Sequence, residues 1–147
     1  VVKELASNDK AYRSLTQSWF KNSPLLEMIQ QAQQMGFKLI LTTDHGTINV
    51  KNPSKVIGDR DTSLNLRYKT GRSLSYENKD VLAAKDPKTI HLPSISMNSS
   101  FIFAKSDLFF AYPNNYNHYV SYYRNTYQHG GVSLEEMIIP FVVLNPK

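Results

Sequence analysis

Two short stretches of this chain carry side chains that could do chemistry. The first is Thr42-Thr43-Asp44-His45-Gly46, which follows the apolar run Leu39-Ile40-Leu41. A carboxylate beside an imidazole is a good pair of zinc ligands, and a glycine lets the backbone turn away sharply behind them. Equally, Asp44 could simply cap the turn and His45 be an ordinary surface residue. The second stretch is His129-Gly130-Gly131-Val132-Ser133-Leu134-Glu135-Glu136. Its two glycines let the backbone pass close to an ion or phosphate. Ser133 and Glu136 have the spacing of a capping box at a helix start, a place that favours anions. With no cysteine in the chain, any metal must be held by Asp, Glu and His.

A third group is basic. Lys51, Lys55, Arg60, Arg67, Lys69, Arg72 and Lys79 face only Asp59, Asp61 and Glu77 between residues 51 and 79, so most of the net charge of +5 lies there. Such a balance favours anionic partners. Arg60, Arg67 and Lys69 are candidate contacts for substrate phosphates, arginine being suited to bidentate pairing; a solvated basic face is the alternative. Tyr112, Tyr116, Tyr119, Tyr123 and Tyr127 could stack on bases or serve as packing. His91 and His118 have no evident chemical partner.

These groups need a scaffold. The pattern predicts a helix over 9–21 behind a cap at Asn8 or Asp9, and a second helix from Ser23-Pro24 to Gly36. A strand over 37–43, covered on both faces, follows and places Asp44 and His45 past its carboxyl end, where ligands bind in open α/β sheets. Short strands are expected at 47–50 and 64–69, a helix at 78–84, a hairpin of 101–104 with 108–111, a helical face of tyrosines after 116, and a last strand through Pro140. The helix-then-strand order implies an α/β layer with a mostly parallel sheet, and 47–80 reads as a basic excursion from it. The 147 residues suffice for one domain, and 41% hydrophobic content supports a core. No apolar stretch is long enough to span a membrane. The chain opens at Val1 without a signal-peptide pattern, so it reads as a piece of a longer protein, compatible with the cytoplasm.

Asp-His-Gly after a strand, then His-Gly-Gly-x-Ser-x-Glu-Glu before a terminal strand, resembles the alkaline phosphatase superfamily and, more narrowly, its PglZ domain. The resemblance covers nearly all of residues 1–147. Gly58-Asp59-Arg60, Asn65-Leu66-Arg67-Tyr68-Lys69 and Tyr112-Pro113-Asn114-Asn115-Tyr116-Asn117 are similar to the version in PorX-type response regulators, which join a receiver domain to a PglZ output domain and are linked to type IX secretion. The resemblance implies an alkaline-phosphatase-like sandwich, present here as its C-terminal part. It implies two zinc ions, with Asp44 and His45 on one and His129 on the other, and a receiver domain upstream in the same chain.

The superfamily's Thr or Ser nucleophile and its Asp-x-x-x-His pair have no match here; Asp86 to His91 is one residue too long. The expected activity is zinc-dependent hydrolysis of a phosphoester, with a phosphodiester such as a nucleotide or oligonucleotide favoured. This chain alone is expected to be inactive. The rival expectation is a non-catalytic signalling module that binds a protein partner in transcriptional regulation.

Overall fold

The computed structural model describes residues 6, 8–94 and 98–146. Its elements are α1 (Asp9–Lys21), α2 (Pro24–Gln34), β1 (Leu39–Thr42), β2 (Ile48–Val50), β3 (Asn52–Lys55), β4 (Tyr68–Gly71), β5 (Val81–Ala84), β6 (Ser100–Ala104), β7 (Leu108–Ala111), α3 (Tyr116–Tyr123), β8 (Thr126–Gln128), α4 (Leu134–Met137) and β9 (Phe141–Leu144). They fall into two compact units, residues 1–44 with 138–147, and residues 45–137.

The first unit holds α1, α2, β1 and β9. The Asn8 side chain accepts from Ala11 N–H and caps α1, as its position before the apolar repeat predicts. Pro24 occupies the first turn of α2, where its missing N–H costs nothing. Gly36 takes a left-handed φ of 85° just past that helix. β1 pairs antiparallel with β9, Leu39 opposite Leu144 and Thr42 opposite Phe141. The Thr42 hydroxyl donates to Pro140 O at 2.8 Å, and the Gln33 amide donates to Asn145 O at 3.0 Å, tying α2 to the chain end. β1 is not covered on both faces within the described residues, for Ile40 is 56% exposed.

The second unit is built from small sheets. β2 pairs antiparallel with β8, β3 pairs parallel with β7, and β6 lies between β4 and β5, antiparallel to both. Only one of the strand pairings among the described residues is parallel, so the fold is mixed α/β and the expected mostly parallel sandwich is not what these residues form. Two apolar clusters fill the unit. Val56, Val81, Ile102, Ala104 and Phe110 form one; Val50, Phe109 and Ala111, covered by Tyr116, Val120 and Tyr123 of α3, form the other.

Tertiary pairing overrides several local expectations here. β6 and β7 flank the Lys105–Asp107 turn but do not pair as a hairpin, because both edges of β6 are taken and β7 pairs with β3. Residues 78–84 are a single 3₁₀ turn at Asn78–Asp80 and then a strand, because Val81–Ala84 finds a partner in β6. The strand expected from residue 64 begins only at Tyr68. The Asn65 side chain accepts from Arg67 N–H at 2.7 Å and Tyr68 N–H at 3.2 Å, which closes a turn in place of extended backbone. β3 runs through Pro53, tolerated because β3 has a neighbour on one side only.

Candidate functional site

The ribbon of β2 and β8 sets the site. Ile48 stands opposite Gln128 in an antiparallel register. His45, three residues before Ile48, and His129, one residue after Gln128, therefore leave the ribbon at the same end. Their imidazoles stack face to face, ring centroids 3.8 Å apart and planes 5° from parallel. Both rings are half-buried. His45 Nδ1 lies 2.7 Å from Gly46 O. A carbonyl can only accept, so Nδ1 is the donor here; in a neutral ring that leaves the lone pair on Nε2, the arrangement a metal-ligating histidine needs.

One buried ion pair holds the turn after His129. Arg67 Nε donates to Glu136 Oε1 at 2.8 Å, and Nη2 donates to Oε2 at 2.7 Å. The two side chains are 0% and 2% exposed. Arg67 Nη1 donates to Leu108 O, anchoring the guanidinium to β7. Glu136 then accepts from the backbone N–H of Gly131 on Oε1 (2.8 Å) and of Ser133 on Oε2 (3.2 Å). The second contact is the half of a capping box in which the N3 carboxylate reaches back to the cap residue. Burial alone would raise the Glu136 pKa. The Arg67 hydrogen bonds, the Gly131 N–H and the Arg67 charge outweigh it, and the carboxyl is held below the ordinary glutamate value.

The glycines are where side chains cannot fit. A Cβ at Gly46 would lie 1.9 Å from Glu135 O, because Gly46 N–H donates to Glu136 O at 2.8 Å and the turn runs directly against α4. A Cβ at Gly131 would lie 2.7 Å from both Arg67 Nη2 and Glu136 Oε2. The turn at Gly46 thus closes on the backbone of α4, and the turn at Gly131 on the Arg67–Glu136 ion pair.

The other sequence candidates differ in their surroundings. Asp44 is the exposed last residue of the first unit, following β1. Arg60 is exposed on a turn that Asp59 organises by accepting from Asp61 N–H, the Thr62 hydroxyl and Arg72 N–H. Arg67, expected at a substrate phosphate, is fully buried, with three nitrogens hydrogen-bonded inside the protein. Lys69 is 2% exposed; its ammonium donates to Ser63 O at 2.7 Å and sits 4.9 Å from the centre of the Tyr112 ring. Sequence reasoning took Glu136 for a helix cap and missed its role as the counter-ion of Arg67. The signal was there in part, since Arg67 is a charge in an apolar alternation that needs a buried acid to pair with.

A mixed α/β fold with small sheets and a histidine-glycine turn against a second histidine-glycine turn is consistent with an alkaline-phosphatase-like domain, a phosphoesterase-like fold. The family model described as the BREX system PglZ alkaline phosphatase-like domain matches residues 2–144, nearly the whole chain, and the chain belongs to that family. Among curated proteins none matches it. No helix among the described residues is long and apolar enough to cross a membrane.

Proposed function

We propose that this chain contributes part of the metal centre of a zinc-dependent phosphoester hydrolase, with a phosphodiester as the favoured substrate. The observation that carries the proposal is the His45–His129 stack. Imidazole lone pairs lie in the ring plane, so two parallel rings 3.8 Å apart cannot both aim at one ion without severe bending. They are well disposed to serve two ions, whose separation in two-metal sites is about 3.5–4 Å. No group of three or more Asp, Glu or His able to hold a metal occurs among the described residues. We read His45, with Asp44 beside it in sequence, toward one ion and His129 toward the other as part of the ligand shell.

Zinc, when bound, would polarise the phosphoryl group and lower the pKa of bound water. The chain's own residues position the ligands. The Gly46 carbonyl fixes the His45 tautomer. Glu136 holds the backbone after His129 through Gly131 N–H, and Arg67 fixes Glu136. Arg67 in this reading is a positioning residue, while exposed Arg60 is available to an anionic substrate. The proposal extends to the PorX-type setting, a receiver domain on the same chain and a cytoplasmic signalling role, on the strength of the sequence strings alone.

The test is hydrolysis of bis(p-nitrophenyl) phosphate by the longer protein, with zinc and after chelation. Asp44→Ala, His45→Ala and His129→Ala should each reduce turnover by at least about a hundredfold, as loss of groups at the metal does. Parent-level turnover by folded variants would contradict it. A parent without zinc-dependent turnover would favour a module that binds a protein partner.

A further inference from the structure

A second site lies in the same compact unit, away from the histidine turns in sequence. Lys69 of β4, Phe110 and Ala111 of β7, Tyr112 just beyond, and Tyr119 and Tyr123 of α3 line a cavity of about 460 Å³, within the range of small-molecule sites. Asn114 and Asn115, where α3 begins, line it too. Lys69 is the anomaly. It is 2% exposed, yet no carboxylate pairs with it among the described residues. Of its three N–H groups one is donated to Ser63 O, and the Tyr112 ring lies close to the charge. A buried cation without a counter-ion is costly unless something anionic completes it. Arg67, two residues earlier, shows the contrast, for its buried charge is fully matched by Glu136.

We propose that this cavity binds a small aromatic anion, its ring against the tyrosines and its carboxylate or phosphate on the Lys69 ammonium. The wall chemistry selects both parts. Tyr112, Tyr119 and Tyr123 offer planar faces on which a ring packs, and the two asparagines can hydrogen-bond ring substituents. An anion would also relieve the burial that holds the Lys69 pKa down to about 8, so its binding should draw a proton onto the amine. The site does not depend on the metal reading.

The experiment is calorimetric titration of the chain in chelator-containing buffer near pH 8, which silences any metal site. The probes are benzoate and phenylphosphonate, with benzamide as the ring without charge and inorganic phosphate as the charge without ring. One or both aromatic anions should bind saturably and more tightly than either control, the tighter one showing whether carboxylate or phosphate is preferred. Binding should take up a fraction of a proton, read from the dependence on buffer ionisation heat. Lys69→Met should weaken it by at least about tenfold, the value of one charge-assisted contact. Lys69→Gln keeps a polar head and should weaken it similarly, while Tyr112→Leu should weaken it without abolishing proton uptake. Equal binding by parent and either folded Lys69 variant overturns the proposal. So does inorganic phosphate matching phenylphosphonate, or no saturable binding by any probe up to roughly 10 mM.

Discussion

Removing the Glu136 carboxylate should be among the most damaging single changes in the second unit. In Glu136→Ala the Arg67 guanidinium keeps its buried position, 0% exposed, with only Leu108 O as partner, and the N–H groups of Gly131 and Ser133 lose their acceptor. Breaking a buried pair by deleting one partner costs about 3–5 kcal/mol, against a typical total stability of about 5–15 kcal/mol. Arg67→Met should cost a comparable amount, since the carboxylate then stays buried with only backbone donors. The double change Arg67→Met with Glu136→Leu removes both charges and should cost less than the two single changes together by at least about 2 kcal/mol. Urea unfolding followed by circular dichroism measures all three. The pair's contribution is also pH-dependent, with a definite sign. Glu136 has a depressed folded pKa, so its stabilisation is complete above the ordinary glutamate range and fades as pH falls through the lower folded value. Glu136→Gln should lack that acid-side loss. A cost below about 1 kcal/mol for Glu136→Ala, or strict additivity in the cycle, would mean that this pair does not hold the turn after His129.

Gly46→Ala should cost more than about 3 kcal/mol, because the new methyl would meet backbone at Glu135 O rather than a yielding side chain; thermal unfolding checks it. Lys69→Met should be more stable than the parent at neutral pH, since the parent keeps a buried ammonium charged there. The gap should close as pH rises from about 8 toward 10.5, where the folded amine is neutral and the unfolded one still protonated. Denaturant midpoints across that range test the sign.

What could be read from the sequence followed the reach of the interactions. α1 and α2 were legible because Asn8, Pro24 and Gly36 are local signals that act within one turn. The two histidine-glycine motifs were legible as candidates because residue type and glycine spacing are themselves local. Strand partners were not. Nothing near Val81–Ala84 says that β6 waits for it, and an Asn-Lys-Asp start looks as helical as it looks like a turn. The 101–111 segment carries hairpin spacing, yet β7 joins β3 from more than fifty residues earlier, a choice made by the core around Phe109 and Phe110. Arg67 illustrates the same limit at the site. From the sequence it is a basic residue in a basic segment; its Glu136 partner lies 69 residues away, and only the fold brings them into contact.

Anomalous X-ray diffraction at the zinc absorption edge, from crystals of the protein carrying this chain grown with zinc, tests the proposed role of His45 and His129 as ligands of two metal ions. Two separate anomalous peaks are expected, one at bonding distance from His45 Nε2 and the other at bonding distance from His129. Peaks that touch neither ring, or a single peak bonded to both, would contradict it.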